Sequence, residues 1–309
     1  MIHLIFLYFC VSDRYFEMNI LTFDIEDWYH IIHKYPNDIL HKWNSYEDRV
    51  HIGTEKILEV LLEKNIKATF FVLGYIAEKH PELVKMIHNY GFEIGAHSHL
   101  HKAAFNQDPS EFRADLNKCI NTLEDIVSEK VLSYRAPGFS VTEKNIWVYD
   151  ILNELGIKYD ASIFPARREN GGFRNFDAKG PVMLKFNNYK IKEFPMSTNS
   201  FLGNRFTTTG GGYFRFFPYF LIRNLVQMSQ YTMTYFHPRD FDEDQPMLEG
   251  LSLKRKFKSY YNISGAYQKF YKLIEDFKFI DIRQANKLID WNQVPVVQID
   301  NKGNCKNIS

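Results

Sequence analysis

Cysteine is scarce in this chain of 309 residues: three in all, Cys10, Cys119 and Cys305, scattered and odd in number. That excludes a disulfide framework and a thiolate zinc cluster, and makes a reducing compartment the simpler expectation. Charge of one sign is also missing. Lysine and arginine number 38 against 37 acidic residues, a formal net charge of +1, which argues against a broad nucleic-acid or anionic-membrane surface. The one local basic run, Lys254-Arg255-Lys256-Phe257-Lys258, reads as a solvated helix face. No apolar run approaches the ~20 residues that cross a bilayer. The nearest, Ile2 to Val11, lacks a preceding basic cluster and a following small-residue cleavage site. Met18 stands just before the first strand. Residues 1–17 are therefore expected to be an extension ahead of the natural start, with a short interfacial tail as the alternative, and a cytoplasmic location is expected. Glycine- and serine-rich linkers, internal repeats and low-complexity segments are absent. What is abundant is aromatic side chains, 16% of the chain, enough to suggest ring-lined surfaces for a flat, hydroxyl-rich ligand.

From Met18 the pattern alternates strand and helix. Strands are expected at 19–23, 67–73, 92–96, 131–135 and 158–162. Between them lie helices at 54–63, 81–89 (opened by Pro81), 109–128 and 142–155. Residues 167–204 are glycine-rich and irregular, read as an insertion at the rim, with one strand at 190–195. An aromatic helix after Gly210-Gly211-Gly212-Tyr213, a strand at 231–236, helices within 251–277 and a last strand at 279–282 follow. Five strand–helix repeats without a linker predict one α/β unit over 18–290, including a helical subregion at about 240–290, with 291–309 as a tail.

In such a unit the carboxyl ends of the strands converge on one face, so residues distant in sequence share a site. Five strand ends carry suspicious side chains: Asp24 with Glu26 and Asp27; His97, His99 and His101; Arg135 with Pro137; Asp160 with Ser162; and His237, followed by Pro238 and Asp240. Carboxylate plus two imidazoles is a common ligand set for a catalytic divalent metal with positions left for water and substrate. The expectation is a metal-dependent hydrolase. His97 and His101 face the same way if the chain turns helically after its strand; an extended His97/His99 pair is the alternative. Glu26 shares a strand face with Asp24, whereas Asp27 reaches a metal only if the strand turns at Glu26. Either carboxylate is a candidate, and the other would cap the turn or hold a ligand. Rings around Tyr213, Phe214 and Phe216 are candidates for stacking on sugar faces or for core packing.

These motifs, in this order, resemble the polysaccharide deacetylases with NodB homology, carbohydrate esterase family four. The stretches that carry the likeness are Phe23 to Trp28, His97 to His101, Tyr134 to Ser140, Gly210 to Arg215, and His237 to Asp242, and they are nearest the subgroup encoded with exopolysaccharide biosynthesis genes. The resemblance implies a distorted (β/α) barrel of about seven parallel strands. It implies Asp24 as catalytic base, Arg135 as its holder, Pro137 lining the groove, Asp160 and His237 as a general-acid pair, and His97 with His101 on a divalent metal, zinc above all. The usual adjacent metal aspartate is replaced by Ile25, which passes that role to Glu26 or Asp27. The implied reaction is removal of acetyl from N-acetylated sugars, with a carbohydrate as sole partner class. An allantoinase-like hydrolase of a small cyclic amide and a catalytically inactive carbohydrate-binding protein are the rival readings.

Overall fold

The computed structural model describes residues 17–31, 39–166, 168, 171–201, 204–300 and 302–308. The expected extension at 1–17 lies outside them apart from Glu17. Among the described residues there are thirteen strands: β1 (Met18–Ile20), β2 (Thr22–Ile25), β3 (Thr69–Val72), β4 (Glu93–Ala96), β5 (Ser133–Tyr134), β6 (Tyr159–Asp160), β7 (Val182–Lys185), β8 (Lys190–Glu193), β9 (Asn199–Phe201), β10 (Asn204–Phe206), β11 (Tyr231–Met233), β12 (Val296–Ile299) and β13 (Cys305–Asn307). Nine form one mixed sheet in the order β13-β12-β7-β8-β6-β5-β4-β3-β2. From β2 to β8 the neighbours run parallel. β1 pairs with β11 in parallel, and a single bridge from Phe23 to Phe236 carries that pairing on beside β2.

The fold is thus α/β as expected, but among the described residues the ladder does not close into a ring. Where β8 and β11 would meet, side chains span the gap: Ser197 Oγ accepts from Met233 N (3.1 Å), and Tyr231 OH donates to Pro195 O (2.8 Å). The irregular segment after 167 is not a rim insertion alone, since β7 and β8 form an antiparallel pair inside the main sheet. The expected tail also belongs to the sheet: β12 lies parallel to β7 and β13 returns beside it. Residues 279–282 make one bridge, Ile20 to Ile280, and then open the helix Ile282–Leu288, because Asp281 and Gln284 form a reciprocal capping box. Among the described residues no helix is long and apolar enough to cross a membrane.

Alternation along the strands sorts two cores. Phe23, Ile25, Phe70 and Val72 face the outer layer with the helices, while Phe71 packs inside with Phe139, Phe164, Phe194 and Met233. Asp24 is register-paired with Phe71, so the same two-residue period turns Asp24 inward. The helix Val50–Glu63 docks on the turn after β11 through Gly53, where a Cβ would come within 2.0 Å of Pro238 O.

At the opposite end of the sheet from the site, Glu93 is buried, accepting from Thr69 Oγ1 (2.6 Å) and Arg283 N (3.1 Å). Burial pushes its carboxyl up to about 7 despite those donors. The raised value means the neutral form is the one the fold prefers, so this group's contribution is full below the unfolded pKa near 4.5 and lost as pH rises through 7. Replacing Glu93 with glutamine is expected to flatten the fall of melting temperature between those pH values. An unchanged slope in the variant would show that Glu93 is not its source.

Candidate active site

β2, β4, β5 and β11 all deliver their carboxyl ends to one edge, and there the inward alternation leaves charged groups where apolar ones would otherwise pack. Arg135, fully buried, follows β5 and places Nη1 2.8 Å from Asp24 Oδ1 and 2.7 Å from Thr22 Oγ1, while Nε donates to Ala161 O. Its guanidinium lies 4.4 Å from the centre of the Phe71 ring and 5.5 Å from that of Phe139, faces that favour a planar cation. Asp24 is thereby a carboxylate in a buried ion pair with one oxygen, Oδ2, directed toward His237 Nε2 at 3.9 Å.

Beside it, Glu26, His97 and His101 bring one ligand atom each to within 4.8 Å of one another, all three residues buried. His97 Nδ1 lies 2.9 Å from the carbonyl of Arg135. A carbonyl only accepts, so Nδ1 carries the proton and Nε2 keeps the lone pair a metal needs. Burial drives the His97 ring down to about 4, which keeps it neutral. Glu26 Oε2 stands 2.6 Å from His101 Nε2 and Oε1 3.5 Å from His237 Nε2. Burial alone would raise the Glu26 carboxyl, but His101, His237 and His97 outweigh it and hold it well below the carboxylate range. An ionised carboxylate and two imidazoles with no apolar plug between them form a donor set that fits a divalent cation.

The histidine loop is held from behind. Asp115, on the helix Pro109–Val127, accepts from Ser98 Oγ (2.6 Å), His99 N (2.7 Å) and Leu100 N (3.0 Å). These bonds stabilise left-handed backbone at Ser98 (φ 68°) and His101 (φ 55°), which non-glycine residues adopt reluctantly. The turn sends His97 and His101 one way, with ring centres 5.4 Å apart, and His99 the other, where Nε2 lies 3.4 Å from Glu78 Oε2. A cavity of about 460 Å³ opens on that far side, lined by Tyr75, Glu78, His99, Leu100 and Lys118, and does not reach the triad.

Two expected assignments come out differently. Asp27 is not among the clustered ligand residues, and backbone N–H groups engage both its oxygens: Oδ1 accepts from Trp28 N (2.7 Å), and Oδ2 from Arg49 N (2.7 Å) and Val50 N (2.9 Å). The chain turns after Glu26, and Asp27 becomes the anion at the start of the helix Val50–Glu63, with burial raising its carboxyl to about 6. Asp160 does not pair with His237. It lies at the end of β6, fully buried, with Oδ1 accepting from Ser162 Oγ (2.6 Å) and Glu193 of neighbouring β8 beside it. Both carboxyls are pushed up, first by burial. Ser162 Oγ in turn accepts from Ala136 N (2.9 Å), so this pair braces the chain just after Arg135.

The partner of His237 is Asp240, one turn on. Its Oδ2 lies 3.1 Å from His237 Nδ1 and accepts from His237 N (3.0 Å), and its other oxygen pairs with the buried Arg215. Burial would lower the His237 ring, yet Asp240, Glu26 and Asp24 together raise it above the usual imidazole value. Arg215 and Asp240 both follow from Gly210-to-Arg215 and His237-to-Asp242, yet the contact between them spans 25 residues and has no local signature. His30 was missed as well. It is fully buried, accepts from Asp27 N (2.8 Å), and its ring centre lies 6.2 Å from that of His101. Pro137, buried, opens the short turn Pro137–Phe139 behind Arg135, and Tyr213, 44% exposed, sits on the helix Gly211–Phe216.

The fold and this edge define an α/β protein with a buried carboxylate–bis-imidazole centre flanked by an aspartate–arginine pair and a histidine–aspartate pair. Residues 41–159 match the family model "Polysaccharide deacetylase", and residues 161–287 match one described as a domain of unknown function, DUF3473. Over residues 41–159 the chain is therefore similar to the polysaccharide deacetylases. It is 36% identical over 119 residues to the peptidoglycan-N-acetylglucosamine deacetylase of Bacillus cereus, a match covering 35% of this chain and 43% of that protein. It is 30% identical over 100 residues to chitin deacetylase 1 of Cryptococcus neoformans, covering 32% and 21%. The chain thus matches well under half the length of these relatives. The crystal structure of a "putative polysaccharide deacetylase" from Mycobacterium smegmatis superposes over 90% of this chain and 91% of that one with a TM-score of 0.61 at 20% identity, a likeness of fold. Glu26 precedes both family matches, His97 and Arg135 fall in the first, and Arg215, His237 and Asp240 fall in the second, so the site is assembled across all three stretches.

Proposed function

We propose that this protein is a metal-dependent deacetylase that hydrolyses the N-acetyl amide of sugars in a poly- or oligosaccharide, in the setting of exopolysaccharide biosynthesis. The observation that carries the reading is the placement of one ionised carboxylate and two imidazoles between a base candidate, Asp24, and an acid candidate, His237. Glu26, His97 and His101 would hold the metal, zinc being the ion best suited to mixed nitrogen and oxygen donors. When bound, such an ion lowers the pKa of water and polarises an acyl oxygen.

The chain's own residues supply the proton traffic. Asp24, oriented by Arg135, takes a proton from the attacking water through Oδ2, the oxygen not engaged by the guanidinium. His237, whose affinity for a proton Asp240 raises, gives a proton to the departing amine nitrogen. Arg215 keeps Asp240 ionised and fixed. The half-exposed ring of Tyr213 on the rim is offered for contact with a sugar face, and Pro137 shapes the floor behind Arg135.

The reading is tested by acetate release from a panel of N-acetylated oligosaccharides, with chelator-stripped protein compared with protein reloaded with zinc. Release is expected only from the reloaded protein, at one metal per chain. Release by the stripped protein, or none from any sugar by the fully loaded one, would overturn it.

A further inference from the structure

We propose that the helix Leu253–Tyr260 and the aromatic strip beside it form a docking surface for an anionic phospholipid bilayer. The helix is attached to the protein through its backbone. Arg215 donates to Lys258 O (2.8 Å), Ser259 O (3.1 Å) and Tyr261 O (3.1 Å), satisfying the carbonyls that a helix leaves open at its carboxyl end. None of the helix's residues is buried.

Its apolar side is left outward. Leu253 is 85% exposed and Phe257, one turn on, 52%. Phe257 continues into Tyr261 and Phe216, with ring centres 4.8 and 6.3 Å away, and Phe216 runs on to Phe217 at 5.3 Å. Around this strip stand Lys254, Arg255 and Lys256, none of which has an acidic partner among the described residues. A strongly two-sided helix of low overall hydrophobicity, with Leu and Phe on one side and Lys and Arg on the other, has the composition of segments that lie in the headgroup layer.

The alternative occupant with matching charge is an acidic polysaccharide. Phe216 meets Phe257 and Phe217 edge to face, at 72° and 75°, and Phe257 is tilted by 38° against Tyr261, so the rings do not form one flat platform, and the most exposed apolar group of the helix is the aliphatic Leu253. Aliphatic tips enter an acyl boundary and have no ring face for a sugar, so the lipid surface is favoured. Such docking would be peripheral, and it is independent of the proposed chemistry.

Full-length protein should co-sediment with unilamellar vesicles of phosphatidylcholine plus phosphatidylglycerol at low salt, and not with phosphatidylcholine alone. Lys254→Glu/Arg255→Glu/Lys256→Glu should weaken binding by about tenfold or more, as expected from lost attraction of several basic side chains. Leu253→Ser/Phe257→Ser should weaken it with every charge retained. None of these side chains is buried, so melting temperatures should stay close to the parent's, and acetate release from a soluble oligosaccharide should persist. Four results would overturn the proposal: no binding to the anionic vesicles; binding unaffected by the Leu253/Phe257 pair; retention on an acidic polysaccharide gel without vesicle binding; or a dimer that these variants dissociate without any lipid effect.

Discussion

Asp24→Asn protein is expected to release acetate about a hundred to ten thousand times more slowly than the parent, the range over which a positioned general base contributes, while still binding metal. The argument rests on division of labour. Asp24 spends one oxygen on Arg135 and turns the other toward His237, and its ligand atoms are not among the three that cluster. Asparagine keeps the shape and can still accept from Arg135, but it cannot take a proton. His97→Ala is expected to lose activity and metal together, because it removes one of three donors. Metal stoichiometry alongside kcat therefore separates the two roles. A fully active Asp24→Asn protein would place the base elsewhere, and metal loss in that variant would make Asp24 a ligand. Removing the charge also leaves the buried guanidinium without its carboxylate, so a lower melting temperature is expected in Asp24→Asn.

Arg215→Met is expected to destabilise the fold by about 3–5 kcal/mol, the usual consequence of breaking a buried ion pair from one side. Arg215 pairs with the Asp240 oxygen that His237 leaves open, and it also gathers the carbonyls of residues 258, 259 and 261. Methionine fills similar volume but leaves Asp240 uncompensated and those carbonyls without their donor. The double variant Arg215→Met/Asp240→Asn should recover part of that loss, since the orphaned charge is gone, yet should stay slow, because His237 then lacks the carboxylate that raises its affinity for a proton. A coupling close to zero in this cycle would mean that the two side chains act independently and that the pair does not organise the acid.

Much of the site is legible in one dimension because strand periodicity is a local property. Thr22, Asp24 and Glu26 alternate with Phe23 and Ile25, and strand alternation, continued past Ile25, carries the carboxylates to one face. The five-residue span from His97 to His101 fits a turn that aims both imidazoles together, although the left-handed backbone at Ser98 and His101 depends on Asp115, fourteen residues past the loop in sequence. Asp160 shows where such reasoning fails. A buried aspartate at a strand end takes its partner from whichever strand lies beside it, and β8 brings Glu193 to β6. His237 finds Asp240 instead, because Pro238 starts a tight turn that folds the acid back over the imidazole.

What the sequence by itself determined is the alternating strand–helix order from Met18 onward and the set of carboxylates, imidazoles and guanidinium carried to strand ends, since periodicity, caps and residue chemistry act over a few neighbours. Only the tertiary structure decided which of those groups meet. Glu26 went to the imidazoles and Asp27 to a helix start, Asp160 to Glu193, and Asp240 to both His237 and Arg215. Residues 296–299 joined the sheet, with 305–307 folded back along them, for the same reason: their pairing with 183–185, more than a hundred residues away, is set by the packing of the whole core, in which each buried charge must find an opposite charge, a donor or a proton.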